Sequence, residues 1–191
     1  DGYLFPARTI DPKNPAPGAG AARWIHLNGS HELYNAGHLY EAAVAHFGTT
    51  KKRTLLEIAI KNADLVDRVF GPKGRQAAPG HQEIELALVR LSEATGDRRY
   101  NELARFFLDQ RGQRHDIEPY PDGPFAMYNE RDYRQDHLPV VEQDRAVGHA
   151  VRATYMYAGM ADVAALFQPV AGRGTRAHGR RPALPEAGQR L

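Results

Sequence analysis

The chain has 191 residues, 42% of them hydrophobic and 25% charged, so it is long and apolar enough to bury the core of one large domain. It contains no cysteine, which excludes a disulfide framework and thiolate chemistry within these residues. Its apolar runs are short and interrupted, so the sequence predicts neither a membrane-spanning segment nor a membrane partner.

The positive charge is concentrated at one end of the chain. The formal net charge is +2, but residues 168–191 hold five arginines and one acid, namely Arg173, Arg176, Arg180, Arg181, Arg190 and Glu186. The remaining residues 1–167 carry 20 basic and 22 acidic side chains. Because this globular part is close to neutral, it offers no basic footprint, and nucleic acid is not predicted as a partner.

Three segments of different composition divide the chain. Residues 1–28 are rich in proline and glycine and predict an extended lead-in. Residues 29–167 carry helical periodicity and are predicted to form the folded domain. Residues 168–191 hold three prolines, four glycines and five arginines, a composition that cannot bury a core.

The start, "DGYLFPARTI", has neither an initiator methionine nor a signal-peptide pattern. We therefore expect an interior or processed start, or an incomplete gene, and a cytoplasmic location. For the tail we expect a truncation, a change of reading frame or an uncertain sequence assignment.

The first helix is predicted from His31 to about Phe47, with Ser30 as its N-cap. One face of it is apolar and consists of Leu33, Ala36, Gly37, Tyr40, Ala43, Val44 and Phe47. The opposite face carries His31, His38 and His46 with one carboxylate and no lysine or arginine. Such a face is typical of a half-buried cavity for an uncharged polyhydroxy ligand, although this helix alone favours histidines that are satisfied by backbone carbonyls.

The histidine spacing argues against a metal ion held by this helix alone. His31 and His38 are two full turns apart, about 10.5 Å along the helix axis. His38 and His46 point in directions roughly 80° apart. Because no pair has the H-x-x-x-H spacing, we predict no metal site on this helix.

The helical hairpin recurs with a period of about 50 residues, from His31 to His81. A helix predicted at 53–70 completes the first hairpin, helices from His81 and over 100–112 form the second, and a helix over 141–166 begins a third. Residues 113–138 hold three prolines and show no helical period, which predicts a long functional loop. The sequence therefore predicts an all-α fold of repeated helical hairpins.

Histidines recur at similar places in these hairpins. His38, His81 and His149 each follow a glycine, in "GHL", "GHQ" and "GHA". Successive hairpins present equivalent ends on one rim, so histidines near the starts of their first helices are predicted to converge there. His149 fits less well, because it lies two turns into its predicted helix.

Five phrases in chain order carry a family resemblance: "DGYL", "SHELYNAGHLYEAAVAHF", "PGHQEIELALVRL", "TGDRRY" and "VVEQDRAVGHAVRATYMYAGMADVAAL". They closely resemble glycoside hydrolase family 127, which contains the β-L-arabinofuranosidases, and cover roughly residues 1–166. The resemblance implies an (α/α)6 barrel. Because twelve barrel helices with their loops need roughly 350 residues, this chain would hold only the N-terminal part.

The resemblance also implies a sugar site. His31, His81 and His149 match histidines that line the family's pocket, and they would bind the hydroxyls of a furanose glycone. The resemblance further implies a reaction that retains the anomeric configuration. Its nucleophile would be a zinc-bound cysteine thiolate and its acid/base a glutamate. This chain has no cysteine, and Arg180 in "GRGTRAHG" stands where that glutamate would be. We therefore expect a glycoside hydrolase fragment that keeps part of the glycone pocket, without catalytic residues, metal or cofactor of its own.

Three alternatives stay open. A non-catalytic helical-repeat protein that binds a partner explains the hairpins and the missing chemistry, but not the histidine-rich face. A carboxylate pair across helices, such as Glu83 with Glu142, would supply acid/base chemistry. Another (α/α)-barrel carbohydrate enzyme, such as an unsaturated uronyl hydrolase, would need a more basic pocket. In the barrel that the resemblance implies, five helices cannot close the ring, so exposed barrel edges predict self-association.

Overall fold

The computed structural model describes residues 1–16, 18–115 and 117–167. Within these ranges the protein is helical, with α1 (Pro6–Thr9), α2 (Glu32–Thr50), α3 (Thr54–Val69), α4 (Ile84–Thr95), α5 (Arg99–Asp109) and α6 (Ala150–Phe167). The predicted all-α class and the helical hairpins are confirmed. The Arg-rich residues 168–191, including Arg180, lie outside the described residues.

The hairpins pack in two layers. Helices α2, α4 and α6 contact one another in that order, while α3 and α5 pack against them and against each other. Left-handed residues end the first helix of each complete hairpin: Lys51, with φ 60°, follows α2, and Gly96, with φ 78°, follows α4. The Gly96 N–H donates to the Ser92 carbonyl at 2.8 Å and so satisfies one of the last helical acceptors.

The predicted apolar face of α2 forms its buried side. Leu33, Ala36, Gly37, Tyr40 and Ala43 are buried against the neighbouring helices. Tyr40 is fully buried, and its hydroxyl donates to Asn62 Oδ1 of α3 at 2.7 Å, which satisfies a polar atom that would otherwise be costly in the core. The 3.6-residue period therefore identified the correct face of this helix.

Residues 1–28 contribute to the same core. Trp24 packs edge-on against Tyr3 at 5.1 Å and against Phe70 at 5.7 Å between ring centroids. The buried Glu32 carboxylate accepts hydrogen bonds from the Tyr3 hydroxyl, from the Trp24 N–H at 3.0 Å and from Ser30 Oγ at 2.9 Å. These contacts tie the lead-in to the start of α2, and the domain boundary after residue 28 stays a prediction.

Two predicted helix starts were wrong. The helix predicted from residue 141 begins at Ala150, because Gly148 adopts φ 71° close to the Asp132 carbonyl and breaks the helical path. The Gln135 side chain holds this turn by donating to the Val147 carbonyl at 2.8 Å and to the His149 carbonyl at 3.1 Å. The helix predicted from residue 81 likewise begins only at residue 84.

The predicted N-cap of α2 was also displaced by one residue. His31 occupies the cap position with a left-handed φ of 60°, and it makes no side-chain capping bond. Ser30 instead donates from Oγ to the Glu32 carboxylate at 2.9 Å. The Ser30 hydroxyl is therefore bound to the acidic side chain of the first turn and does not cap a backbone N–H of the helix.

The long predicted loop covers the N-terminal ends of the first helices. Arg134 donates to Asn28 Oδ1 at 2.8 Å, and Gln82 Nε2 donates to the Arg134 carbonyl at 2.9 Å. Within the loop, Ala126–Asn129 forms a 3-10 turn. None of the helices in the described part of the chain is both long and apolar enough to cross a membrane.

Candidate sugar-binding site

The three predicted histidines lie at the N-terminal ends of α2, α4 and α6. His31 is the N-cap residue of α2, His81 lies shortly before Ile84 starts α4, and His149 immediately precedes α6. The ring centroids of His31 and His81 are 5.7 Å apart, and those of His81 and His149 are 6.4 Å apart. We call these three residues the histidine cluster. Because α6 starts later than predicted, His149 no longer lies inside a helix, and all three rings meet at one rim.

Backbone hydrogen bonds define the tautomers of the cluster. Nδ1 of His31 and Nδ1 of His81 lie 2.5 and 2.7 Å from backbone carbonyl oxygens. A carbonyl only accepts, so Nδ1 donates in both rings, and Nε2 of each neutral ring remains an acceptor. In His149 the backbone N–H of Arg152 donates to Nδ1 at 3.5 Å, which leaves the proton on Nε2. The cluster thus offers two acceptors and one donor.

Burial and a nearby guanidinium keep two rings of the cluster, His31 and His81, neutral. Burial, together with the positive charge of Arg152, lowers the pKa of His81 to about 4. Burial also lowers the pKa of His31. Arg152 itself is buried, with its guanidinium 5.2 Å from the Tyr128 ring and 4.9 Å from the Tyr133 ring. At neutral pH, His31 and His81 are therefore uncharged, as a pocket for an uncharged sugar requires.

Four tyrosine rings border the histidine cluster. By centroid distance they are Tyr34 at 4.2 Å and Tyr155 at 5.8 Å from His81, Tyr128 at 5.7 Å from His31, and Tyr133 at 5.2 Å from His149. Two of them come from helices and two from the loop over the helix ends. Aromatic walls with a few convergent hydrogen-bonding groups are the usual lining of a small-ligand site.

A buried carboxyl group lies beside this site. The Glu83 side chain is 0% exposed, and among the described residues neither of its oxygens has a hydrogen-bond partner, although His38 Nδ1 lies 3.4 Å away. Burial, together with the neighbouring carboxylates of Glu41 and Glu85, raises the pKa of Glu83 to about 10. Glu83 is therefore a neutral carboxylic acid at pH 7. The predicted alternative partner, Glu142, is exposed in a 3-10 turn, so the acidic neighbour on the facing helix is Glu41.

The donors in this chain do not match the family's zinc site. That site requires cysteine thiolates, and none of the 191 residues is a cysteine. Among the described residues, His38, Glu41 and Glu83 bring one ligand atom each within 4.8 Å of one another. This set of one imidazole and two carboxylates differs from the family's thiolate ligands. Because burial keeps Glu83 protonated, its carboxyl group is already neutral without a bound cation.

Several residues of the site were missed by sequence reasoning. Arg152, Tyr128 and Tyr133 reach the cluster only through the fold of the loop and the late start of α6. Arg152 had a detectable signal, since it lies three residues after His149 and so on the same side of the helix start. The position of Tyr128 in the loop carries no periodic signal of this kind.

The fold and the site together define a helical-hairpin domain with a cluster of histidines, bordered by tyrosine rings, at one rim. The sequence model described as "Beta-L-arabinofuranosidase, GH127 catalytic domain" matches residues 1–170. The chain belongs to glycoside hydrolase family 127.

Individual relatives agree with this assignment. The chain is 40% identical over 178 residues to the non-reducing end β-L-arabinofuranosidase of Bifidobacterium longum subsp. longum, which covers 87% of this chain and 26% of the relative. The solved structure of BT3674, a GH127 β-arabinofuranosidase, superposes with a TM-score of 0.76 at 52% identity and covers 87% of this chain and 25% of its own.

A second solved structure is similar to the same degree. Ara127N-Se, a GH127 β-L-arabinofuranosidase from Geobacillus stearothermophilus T6, has a TM-score of 0.73 at 47% identity, covering 87% of this chain and 26% of that one. The chain therefore spans about a quarter of the length of these relatives. The predicted partial barrel is confirmed.

Proposed function

We propose that this chain supplies the N-terminal part of the sugar pocket of a β-L-arabinofuranosidase, and that His31, His81 and His149 bind the hydroxyls of its furanose glycone. The observation that supports this most directly is the convergence of three rings at the starts of three helices, at centroid separations of 5.7 and 6.4 Å. Their two acceptors and one donor suit hydroxyl groups, which both donate and accept.

In this proposal the chain binds and orients the sugar but does not cleave the glycosidic bond. The family's zinc-bound thiolate would supply the nucleophile in the complete domain, and no cysteine of this chain can take that role. Glu83 holds its proton in a fully buried position, and we assign it no part in cleavage. The domain limits proposed from composition are 29–167 for the barrel segment, with residues 1–28 leading into it.

The binding proposal is tested with methyl β-L-arabinofuranoside, whose ring is locked as a furanose, by saturation-transfer NMR on the 191-residue chain. We expect binding that His81→Ala abolishes and that the pyranoside isomer does not share. His46→Ala is the matched control, because His46 lies on α2 but bonds only with Thr50 near the opposite end of the helix. Equal signals in the wild type and in His81→Ala would contradict the proposal.

The absence of cleavage is tested separately. The chain is incubated with an aryl β-L-arabinofuranoside, with and without added Zn²⁺, and the released phenol is measured. We expect no turnover above the uncatalysed rate in either case. Zinc-dependent turnover would show that this chain contains a nucleophile that we have not assigned.

The second candidate is a non-catalytic helical-repeat protein that binds another protein. Such a function would place the histidines in separate hairpin cores or scatter them over the outside. Their convergence in a tyrosine-bordered cluster favours the sugar pocket instead. Binding of a peptide or protein without any response to the furanoside would reverse this preference.

A further inference from the structure

A row of aromatic rings leads from the histidine cluster to the surface. The Tyr128 ring lies 5.7 Å from the His31 ring, and Phe125 is stacked on Tyr128 at 5.6 Å with an interplanar angle of 9°. Phe125 is 50% exposed. The row therefore begins at the proposed glycone site and ends in solvent, two ring-to-ring steps away.

The surroundings hold Tyr128 firmly in place. The Arg152 guanidinium lies 5.2 Å from one side of its ring, and Tyr120 packs edge-on at 5.2 Å. Gly29 makes room for both tyrosines, since a methyl group there would overlap their rings. Tyr128 is thus fixed between the start of α2 and the start of α6.

The loop segment that carries Phe125 is closed by its own hydrogen bonds. The backbone N–H of Tyr120 donates to Asn129 Oδ1 at 2.8 Å, and Asn129 Nδ2 donates back to the Tyr120 carbonyl at 2.9 Å. The Tyr128 N–H donates to the Phe125 carbonyl at 3.0 Å, which starts the 3-10 turn. A ring presented on a closed and buttressed turn keeps its orientation, unlike an aromatic side chain on a free loop tip.

We propose that Phe125, supported by Tyr128, forms a second sugar subsite that stacks on the ring next to the furanose glycone. The C–H groups of a sugar carry partial positive charge and pack on the negative face of an aromatic ring. Phe125 lies two ring-to-ring steps beyond His31, of 5.7 and 5.6 Å, so the subsite takes a second saccharide unit rather than the glycone itself. Phe125 is a single exposed ring rather than a broad patch, which suits one sugar better than a protein surface.

This subsite rests on the proposed function, and the experiment separates the two. Affinities for methyl β-L-arabinofuranoside and for a β-linked disaccharide of L-arabinofuranose are measured by NMR titration with the full chain. We expect the wild type to bind the disaccharide about three- to tenfold more tightly, in line with the strength of a single aromatic stack. Saturation transfer from the protein should reach the protons of both rings.

Phe125→Ala removes the stacking face and, because Phe125 is half exposed, leaves the core intact. We expect this variant to lose the extra affinity for the disaccharide and the transfer to its second ring, while the methyl furanoside binds as before. Phe125→Trp should keep the preference. Tyr157→Ala is the control, since Tyr157 is a similarly exposed aromatic residue, 41% accessible, on α6.

The outcomes divide cleanly. Unchanged disaccharide affinity in Phe125→Ala, with His81-dependent binding of the methyl furanoside, would overturn the subsite and leave the glycone pocket standing. Failure of the wild type to bind either sugar would overturn the proposed function, and the subsite would fall with it. Loss of the disaccharide preference in Phe125→Ala alone supports the subsite.

Discussion

At the scale of single residues, the site depends on imidazoles that stay uncharged. A neutral ring whose Nδ1 is bound to a carbonyl presents a defined acceptor at Nε2, whereas a protonated ring can only donate. His81 is tied in this way to the carbonyl of Gln82 at 2.7 Å. Burial and the nearby Arg152 both oppose its protonation. The same contacts therefore set the orientation and the charge of this ring.

The low pKa of His81 predicts an unusual pH profile. Its pKa is lowered to about 4, so the ring remains an acceptor far below the pKa of 6.5 that an exposed histidine has. We expect binding of methyl β-L-arabinofuranoside to change little between pH 7 and pH 5 and to fall as the pH drops through about 4. The measurement is an NMR titration at each pH. Circular dichroism provides the control that the fold persists, since a lowered histidine pKa also costs stability as the pH falls below 6.5. A midpoint near 6.5 would contradict the prediction.

The raised pKa of Glu83 predicts that the free energy of unfolding falls as the pH rises, the opposite direction to the effect of His81. Its folded pKa of about 10 lies above the unfolded value of 4.5, so its stabilisation is complete below 4.5 and is lost as the pH rises towards 10. Glu83→Gln keeps the shape and removes the ionisable group. We expect the variant to gain stability over the wild type at pH 8, by on the order of a few kcal/mol, and to gain far less at pH 5.

Thermal unfolding at the two pH values measures this effect. Glu57→Gln is the control, because Glu57 is exposed and its ion pair with Arg53 contributes little. The same gain at both pH values would contradict a raised pKa. A rise in the melting temperature of the wild type on adding Zn²⁺, absent in Glu83→Gln, would mean that the carboxylate is ionised and binds the cation with His38 and Glu41.

At the scale of helices, periodicity was informative where a helix has one apolar face. The predicted range 53–70 differs from α3 (Thr54–Val69) by a single residue at each end. The start of α6 was misplaced because the residues before it also have helical composition. The turn there depends on Gly148 and on the side chain of Gln135 from the preceding loop, a tertiary contact that local sequence does not encode.

The approach of α2 to α4 gives a prediction about two glycines of one helix. A methyl group at Gly37 would overlap the Glu83 carboxylate and lie 2.8 Å from Ile84 Cα, whereas one at Gly48 would meet no atom within 4 Å. We expect Gly37→Ala to destabilise the protein by about 1–3 kcal/mol, since the backbone of α4 must move. Gly48→Ala should stabilise it by about 0.5–1 kcal/mol through helix propensity. Chemical denaturation of both variants measures the difference, and equal effects would contradict the close contact.

At the scale of the whole molecule, the site could be predicted only in part. Hairpins that repeat and place equivalent ends on one rim predicted that histidines meet there, and the family resemblance selected His31, His81 and His149. The ring positions of Tyr128 and Phe125 did not, because they depend on how the loop returns over the helix ends. Arg152 could be predicted in part: the sequence indicated the helix that carries it, but not that this helix starts only at Ala150.

The outer face of α6 is the surface through which we expect the protein to self-associate. Its exposed residues are all uncharged: Ala150, Val151, Thr154, Tyr157, Ala158, Ala161, Ala164, Ala165 and Leu166. Val151 is 49% and Leu166 45% exposed. A helix that is apolar on both its buried and its outer side is normally covered on both. We therefore expect two copies of the chain to pair through this face, since burial of an apolar surface favours association.

Sedimentation velocity over a range of concentrations measures this pairing. We expect a concentration-dependent dimer, and we expect Ala158→Glu, at the centre of the outer face, to weaken it about tenfold or more, because pairing would bury an unpaired charge. Ile58→Glu is the matched control, as Ile58 is an apolar residue with 48% exposure on α3, a helix that packs against α2 and α5. A monomer at every concentration, or equal weakening by both variants, would show that this face of α6 does not mediate the association.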